Sequence, residues 1–410
     1  MSIRQRLYPS PENEAVLARH CSDSRFVYNL GLEQRNFYRS DRTTKVNTST
    51  QMRELAEARK TFSWLAQGSS SVQQAALRDL DRGFRNWWSS PKHFSRPTWR
   101  KSGRNEGFYV RDLSVRKLNR KWGEVLVPKA GWVRFRLTRT WTAIEGSTSA
   151  RITLDRSGRW HASFTQPQPQ LLRKPTGAVV GLDMGITYSV TTSDGTHLKL
   201  PKLLSSGESQ RKRRLQRKLL RQTKGSNRRA RTKCSIAKLI AREADRRRDW
   251  IEKTTTELVR NYDLMAIEDL KVKNMSRSAK GTKDNPGKNV AQKRGLNRSI
   301  RNQAWSLFRK RLEDKAAAAT SPVSVTPINP KFTSQTCSQC EHVAKKNRKS
   351  QAVFSCIACG YEANADINAA KNILAAGFAV TGRGGTLQQK PMQAKHSGPV
   401  KRQLLEGSAA

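Results

Sequence analysis

The sequence predicts a multidomain fold that mixes α+β and α/β parts, with a zinc ribbon inserted near its C-terminal end. Three observations predict it. A chain of 410 residues is longer than one ordinary core organises, so two or three domains are expected. Amphipathic helices fill roughly the first ninety residues, alternating strands follow, and later two apolar strands each end in a single acid, Asp183 and Glu268. Cys337-x-x-Cys340 and Cys356-x-x-Cys359 stand fifteen residues apart, a spacing in which each pair forms a tight knuckle and the four sulfurs close on one ion.

Four thiolates suit a structural Zn²⁺. The competing reading, two disulfides in a secreted scaffold, does not suit a long chain with only six cysteines and no signal peptide. Cys21 and Cys234 read as buried or incidental thiols, in keeping with a reducing, cytoplasmic compartment.

The charge balance names the partner class. Lys and Arg number 79 against 32 Asp and Glu, a net charge of +47. Such a chain repels itself unless a polyanion compensates it, and nucleic acid is the default polyanion. A membrane is not expected, because no apolar run is long enough to cross a bilayer and no lipidation signal or amphipathic anchor is seen.

In order along the chain, Ile3 to Tyr8 suits a short strand. Ser10 and Pro11 supply an N-cap and a first helical position, with Glu12 and Glu14 in the first turn. A second helix is predicted from Gln51 toward Trp64. In a third, Val72, Ala76, Leu77, Leu80, Phe84, Trp87 and Trp88 trace an apolar face opposite Arg78, Arg82 and Arg85. These arginines are candidate nucleic-acid contacts. Val133, Phe135 and Leu137 then alternate with Arg134 and Arg136, and a hairpin is predicted around Asp155 to Gly158, so residues 91 to 170 read as a small β barrel or curled sheet with a cationic outer face.

Gln166 to Pro175 reads as a linker. Ala178 to Ile186 is a buried strand carrying Asp183, whose lone charge needs a cation or donors beside it. Taken alone, a capped turn or a core salt bridge would serve as well as a metal. Residues 211 to 248 hold 17 Lys or Arg against Glu243 and Asp245, a net +15. They suggest two helices broken near Gly225 to Asn227, a phosphate-contacting hairpin with Arg213, Arg217 and Arg221 on its outer face. A helix from Trp250 to Arg260 leads to the strand ending in Glu268. Lys271 to Gln303 reads as a mobile loop beside that acid. A helix from about Ile300 to Ala319 and a strand around Val323 to Ile328 precede the cysteines, and a disordered tail is expected from 376 to 410.

Asp183, Glu268 and Asp366, which opens a helix after the second knuckle, would repel one another unless divalent cations lay between them. Hard oxygen ligands suit Mg²⁺ or Mn²⁺, and two such ions would make this a two-metal phosphodiester site with the acids as ligands.

The motifs GLDMG at 181 to 185, IEDL at 267 to 270 and the cysteine pairs leading to ADINAAKNI at 365 to 373 resemble the signatures of the transposon-associated TnpB (OrfB) family, relatives of type V CRISPR effectors. RLYPSPENEAVL, RFVYN and VPKAGWVRFR extend the resemblance over nearly the whole chain. It implies a wedge-like barrel from 1–10 and 91–172, a helical recognition lobe at 11–90, a RuvC-like nuclease of RNase H fold from 176–330 and 363–375, and a zinc ribbon at 331–362. It carries the catalytic roles to Asp183, Glu268 and Asp366. The implied activity is Mg-dependent, RNA-guided cleavage of double-stranded DNA beside a short motif, with a guide RNA from a transposon end. One departure is Asn364-Ala365-Asp366, where many members read Asp-Arg-Asp: the last acid is kept and its charged neighbours are not. The alternatives are a compact CRISPR effector with an array-derived guide, a binding-only repressor, and a strand-transferring transposase. The tyrosine type of transposase needs His-x-His, which none of the six histidines forms.

Overall fold

The computed structural model describes residues 2–37, 46–166 and 170–382. The chain divides into two compact units, residues 1–170 with 202–248, and 171–201 with 249 onward.

In the first unit, strand β1 (Ser2–Tyr8) leads into helix α1 (Pro11–Asn36), where Ser10 Oγ accepts from the Asn13 N–H at 3.2 Å and Pro11, Glu12 and Glu14 fill the first turn. Helices α2 (Thr48–Thr61), α3 (Ser63–Ala66) and α4 (Ser70–Ser89) complete the helical part. The apolar face of α4 buries Val72, Ala76, Leu77, Leu80 and Phe84. Trp88, expected on that face, does bring its ring to 5.5 Å from Phe84 but stands in the last turn of the helix and is 62% exposed.

Strands β2 (Gly107–Arg111), β3 (Val115–Lys117), β4 (Trp122–Val127), β5 (Gly131–Arg136), β6 (Ser149–Leu154) and β7 (Trp160–Thr165) join β1 in the order β2-β6-β7-β1-β5-β4-β3. Val133 and Phe135 point inward and Arg134 and Arg136 outward, the alternation expected of β5. Although β5 and β7 lie on opposite sides of β1, the Phe135 and Phe164 rings come within 5.2 Å, so the sheet curls over one core. It does not close into the expected barrel: among the described residues no pairing joins β2 to β3. The latter is only three residues long and mostly exposed, and offers no buried face for a closing strand. The predicted hairpin at 155–158 forms, with Asp155 Oδ1 accepting from the Ser157 N–H at 2.8 Å.

The second unit is built on β8 (Val179–Asp183), β9 (Val190–Thr192), β10 (His197–Leu198), β11 (Leu264–Glu268) and β12 (Ser324–Ile328), ordered β10-β9-β8-β11-β12. Strands β8, β11 and β12 run parallel, and β9 and β10 add an antiparallel edge.

Between the two segments of this unit, α5 (Ser206–Leu220) and α6 (Asn227–Asn261) form the predicted cationic hairpin. The second arm runs on without a break through the helix expected at Trp250 to Arg260, since no Pro or Gly interrupts it. Lys271 to Gln303 is largely ordered, not the mobile loop expected. It holds α7 (Val272–Met275) and α8 (Val290–Gln303), and a left-handed Ala304 separates α8 from α9 (Trp305–Ala317).

The cysteine segment carries the hairpin β13 (Val353–Ser355) and β14 (Glu362–Asn364). Helix α10 (Ala365–Thr381) follows and runs past residue 376, where the tail was expected to begin; most of that tail lies outside the described residues.

Side-chain alternation sorts the sheet's two faces. Val180, Leu182, Met265 and Ile267 pack with Ile251, Leu258, Phe308 and Leu312. Ala266 packs instead with Ile328 and Ile373 of α10. No described helix is long and apolar enough to cross a membrane.

Candidate active site

The register of two parallel strands builds the site. Leu264 to Ile267 of β11 pair with Val179 to Leu182 of β8 at a constant offset, and the next step of that ladder places Glu268 beside Asp183. Neighbouring strands lie about 4.8 Å apart. By pleat alternation both acids project from the face that carries Gly181 and Ala266, which is the face α10 covers.

Helix α10 lies directly on these strands. A Cβ on Gly181 would sit 2.0 Å from Ala370 O, and one on Gly377 would sit 2.6 Å from Ala266 Cβ. Asp183 lies two residues beyond Gly181 on the strand, and Asp366 one helical turn before Ala370 on the helix, so the third acid is carried toward the other two. Asn364 caps this helix, accepting from the Asp366 and Ile367 N–H groups at 3.0 and 3.2 Å. Its neighbour Ala365 is fully buried against Phe354, Cys337 and Cys356, where a charged side chain would be costly to bury.

The three carboxylates influence one another. Burial first, and then the charges of Glu268 and Asp366, push Asp183 up to about 8, against the opposing pull of Arg348. Burial also raises Glu268, opposed by a hydrogen bond from Thr333 and by Arg348. Repulsion of this kind is what a divalent cation relieves, and the donors are hard oxygens, so the set fits Mg²⁺ or Mn²⁺. Among the described residues, only the four cysteines bring all their ligand atoms within 4.8 Å of one another. The acids are more widely spread, as ligands shared over two ions about 3.5–4 Å apart would be.

The cysteines meet the test for a tetrahedral metal. Cys337 and Cys359 sulfurs lie 3.7 Å apart and Cys340 and Cys356 sulfurs 3.6 Å. A tetrahedron with Zn–S of about 2.3 Å has edges of about 3.8 Å, and no disulfide joins them. Burying its side chain completely, Asn347 ties the two knuckles together: Nδ2 donates to Gln335 O and His342 O, and Oδ1 accepts from the Ile357 N–H, all at 3.0–3.1 Å.

This module reaches two of the three acids. Thr333 Oγ donates to Glu268 Oε1 at 2.9 Å, and Arg348, next to Asn347, donates to Asp366 Oδ1 at 3.3 Å. On α10, Asn368 and Asn372 donate to Thr336 O at 2.8 and 2.7 Å, and Asn372 also to Thr333 O. Sequence reasoning missed Thr333, Asn347 and Arg348. Arg348 sits among Lys345, Lys346 and Lys349 and nothing in the sequence distinguishes it. The asparagines did leave a signal: Asn364, Asn368 and Asn372 recur every four residues along a helix whose only charged residues are Asp366 and Lys371.

The predicted nucleic-acid contacts belong to the first unit. Arg82, Arg136, Arg213, Arg217 and Arg221 are exposed and Arg78 is half-buried. Arg85 pairs with Asp81 at 2.8 Å and Arg134 with Glu124 at 3.2 Å, so part of that cationic face is already compensated within the protein.

Fold and site together define a strongly cationic α+β protein whose sheet gathers carboxylates beneath a helix delivered by a four-cysteine module. Residues 163–279 match a family described as "Probable transposase" (OrfB, IS605 type), residues 305–373 a "Cas12f1-like, TNB domain", and residues 1–42 a "Helix-turn-helix domain" of OrfB. Within residues 2–37 the structure holds a strand and one 26-residue helix. The chain is 37% identical to "Putative RNA-guided DNA endonuclease InsQ" of Escherichia coli (strain K12), over 94% of both chains. It is 31% identical to "Putative RNA-guided DNA endonuclease" of Streptomyces pristinaespiralis, over 93% of this chain and 90% of that one. The cryo-EM structure of a Cas12f1–sgRNA–target DNA complex shares the fold, with a TM-score of 0.53 at 12% identity over 89% of this chain and 83% of that one. The chain belongs to the TnpB (OrfB) family of RNA-guided nucleases, relatives of the type V CRISPR effectors.

Proposed function

We propose that this protein is an RNA-guided DNA endonuclease whose guide RNA comes from a transposon end, and that Asp183, Glu268 and Asp366 are its catalytic acids. The observation that carries the reading is the register of Asp183 against Glu268, with Asp366 brought over them by α10, in a chain of net charge +47. A protein that only bound nucleic acid would gain nothing from three mutually repelling carboxylates.

On this reading residues 176–330 and 363–375 form the RNase H-like, RuvC-type nuclease and 331–362 its zinc ribbon. Residues 1–10 with 91–172 form the wedge-like domain and 11–90 the recognition lobe, in a protein of the prokaryotic cytoplasm. The three acids would hold two Mg²⁺ (or Mn²⁺) ions, which when bound supply the Lewis acidity for water attack on phosphorus and for departure of the 3′ oxygen. Thr333 fixes one oxygen of Glu268 and leaves the other free, and Arg348 holds Asp366 and offsets part of the local negative charge. Base pairing with the guide selects the target, while the cationic surface holds the heteroduplex and displaced strand by their phosphates, and a short motif beside the target is read by the protein.

The test is the protein purified with its co-expressed RNA, on double-stranded DNA matching the bound guide. Asp183→Ala abolishes Mg-dependent cleavage and leaves DNA affinity within about twofold. Undiminished cutting by that variant would remove Asp183 from the site.

A further inference from the structure

Resting on the reading that the acids cut a nucleic-acid strand, we infer that the cationic pocket between the loop after α7 and helix α8 holds a nucleotide of the DNA strand entering that site. The pocket has a volume of about 480 Å³ and is lined by Lys280, Arg294, Asn297, Arg298 and Arg301, a size usual for small-ligand sites. Among the described residues no carboxylate pairs with any of its four cations. Residues 271–303 carry ten Lys or Arg against one acid, Asp284. On the neighbouring helix α9, by contrast, Arg309 and Arg311 are engaged by acids.

The pocket is built. From α8, Lys293 donates to Met275 O, Arg301 to Ser276 O and Asn297 to Arg277 O, at 2.9–3.3 Å, locking α8 against the end of α7. The opposite wall is a tight loop closed by Gly287 N–H to Lys280 O at 2.9 Å, where a Cβ on Gly287 would meet Ala279 O at 1.6 Å.

Its chemistry describes a nucleotide and not a bare anion. The exposed guanidiniums of Arg294 and Arg298 suit phosphate oxygens. Asn297 is 9% exposed, its Nδ2 is committed to Arg277 O, and its buried Oδ1 has no donor. That oxygen lacks a donor within the described residues, and on a small shift of the side chain into the pocket an N–H of a base edge would supply one.

The segment is anchored where the acids are. It begins three residues after Glu268, and at its far end Gln303 donates to Ile186 O and accepts from Ser189 Oγ, in the connection that follows Asp183. A strand held there is therefore tethered to the ends of the two strands that carry the catalytic acids.

The experiment uses the full chain with its bound RNA, no added magnesium, and a labelled single-stranded deoxyoligonucleotide unrelated to the guide. Arg294→Ala/Arg298→Ala weakens DNA binding about tenfold at low salt. It also reduces the slope of log affinity on log salt by about 1.4, two phosphates at about 0.7 each. Thermal unfolding and zinc content match the parent protein, since both side chains are exposed. As a readout local to the pocket, a genetically introduced photo-reactive amino acid in place of Arg298 captures the DNA. An unchanged slope, no crosslink, or an effect confined to an RNA oligonucleotide of the same sequence overturns the inference. DNA captured at position 298, together with a parent protein that never cuts a matched target, keeps the pocket and sinks the nuclease reading.

Discussion

Asp183 and Glu268 each directly follow the last paired rung of the β8–β11 ladder, Leu182 with Ile267, at the ends of neighbouring parallel strands and on one face of the sheet. Apolar side chains at these two positions would make an ordinary piece of core. Two acids there, with a third at the first turn of the helix above, store electrostatic repulsion that folding alone does not compensate.

That repulsion predicts a pH dependence. Burial and the two neighbouring acids hold Asp183 at about 8 in the fold, whereas an aspartate in an unfolded chain titrates near about 4. Between those values the folded protein keeps a proton that the unfolded chain has released, so stability falls as pH rises from about 4 to about 8. Without added magnesium, the denaturation midpoint of Asp183→Asn should exceed that of the parent protein by more at pH 8.5 than at pH 5. Parallel midpoints across that range would show that Asp183 ionises as freely in the fold as outside it.

Thr333→Val keeps the shape of a buried side chain and removes the donor to Glu268 Oε1. A hydrogen bond to a charged acceptor contributes about 1.5–3 kcal/mol. The magnesium concentration for half-maximal cleavage should rise about tenfold, with Thr333→Ser restoring it. If valine leaves the magnesium dependence unmoved, Thr333 only fills space.

Asn347 joins the two cysteine knuckles and stands next to Arg348, which holds Asp366. Replacing Asn347 by Ala leaves the Ile357 N–H without its acceptor and takes one of two donors from each of Gln335 O and His342 O, with a hydrogen bond of this kind contributing about 0.5–1.5 kcal/mol. Zinc release to a chromophoric chelator should accelerate at least tenfold. Cleavage should decay with the zinc signal even in excess magnesium, because Arg348 and Thr333 lose their positions together. Full cleavage after zinc has left would separate the module from the acids.

The parts of this architecture that were legible in the sequence are those governed by local rules. The cap at Ser10, the alternation along β5, the two cysteine knuckles and the acids ending β8 and β11 each follow from neighbouring residue types. What escaped depends on partners distant in the chain. Lys271 to Gln303 looked mobile because its Lys, Gly and Asn content carries no apolar period, yet α8 is held by side-chain bonds to the carbonyls of α7 and by burial of Ile300. Arg348 is one of several basic residues between the knuckles, and only the fold shows that it faces Asp366. Closure of the first sheet was overread for the same reason, since a strand's pattern reports its faces and not its edges.

Gly181 tests whether α10 positions the third acid. A Cβ there would lie 2.0 Å from Ala370 O and 2.8 Å from Leu374 N; both are backbone atoms, so no rotamer change relieves the overlap and the helix itself must lift. Overpacking of this kind costs about 1–3 kcal/mol. The lift falls one turn from Asp366. Gly377→Ala makes a similar clash, 2.6 Å from Ala266 Cβ, but about 16 Å along the helix axis from Asp366. Both variants should unfold at lower temperature. Cleavage measured well below either midpoint should fall at least tenfold for Gly181→Ala and stay within a few fold of the parent for Gly377→Ala. Equal losses in the two would mean that the helix contributes stability to the sheet without setting the place of Asp366.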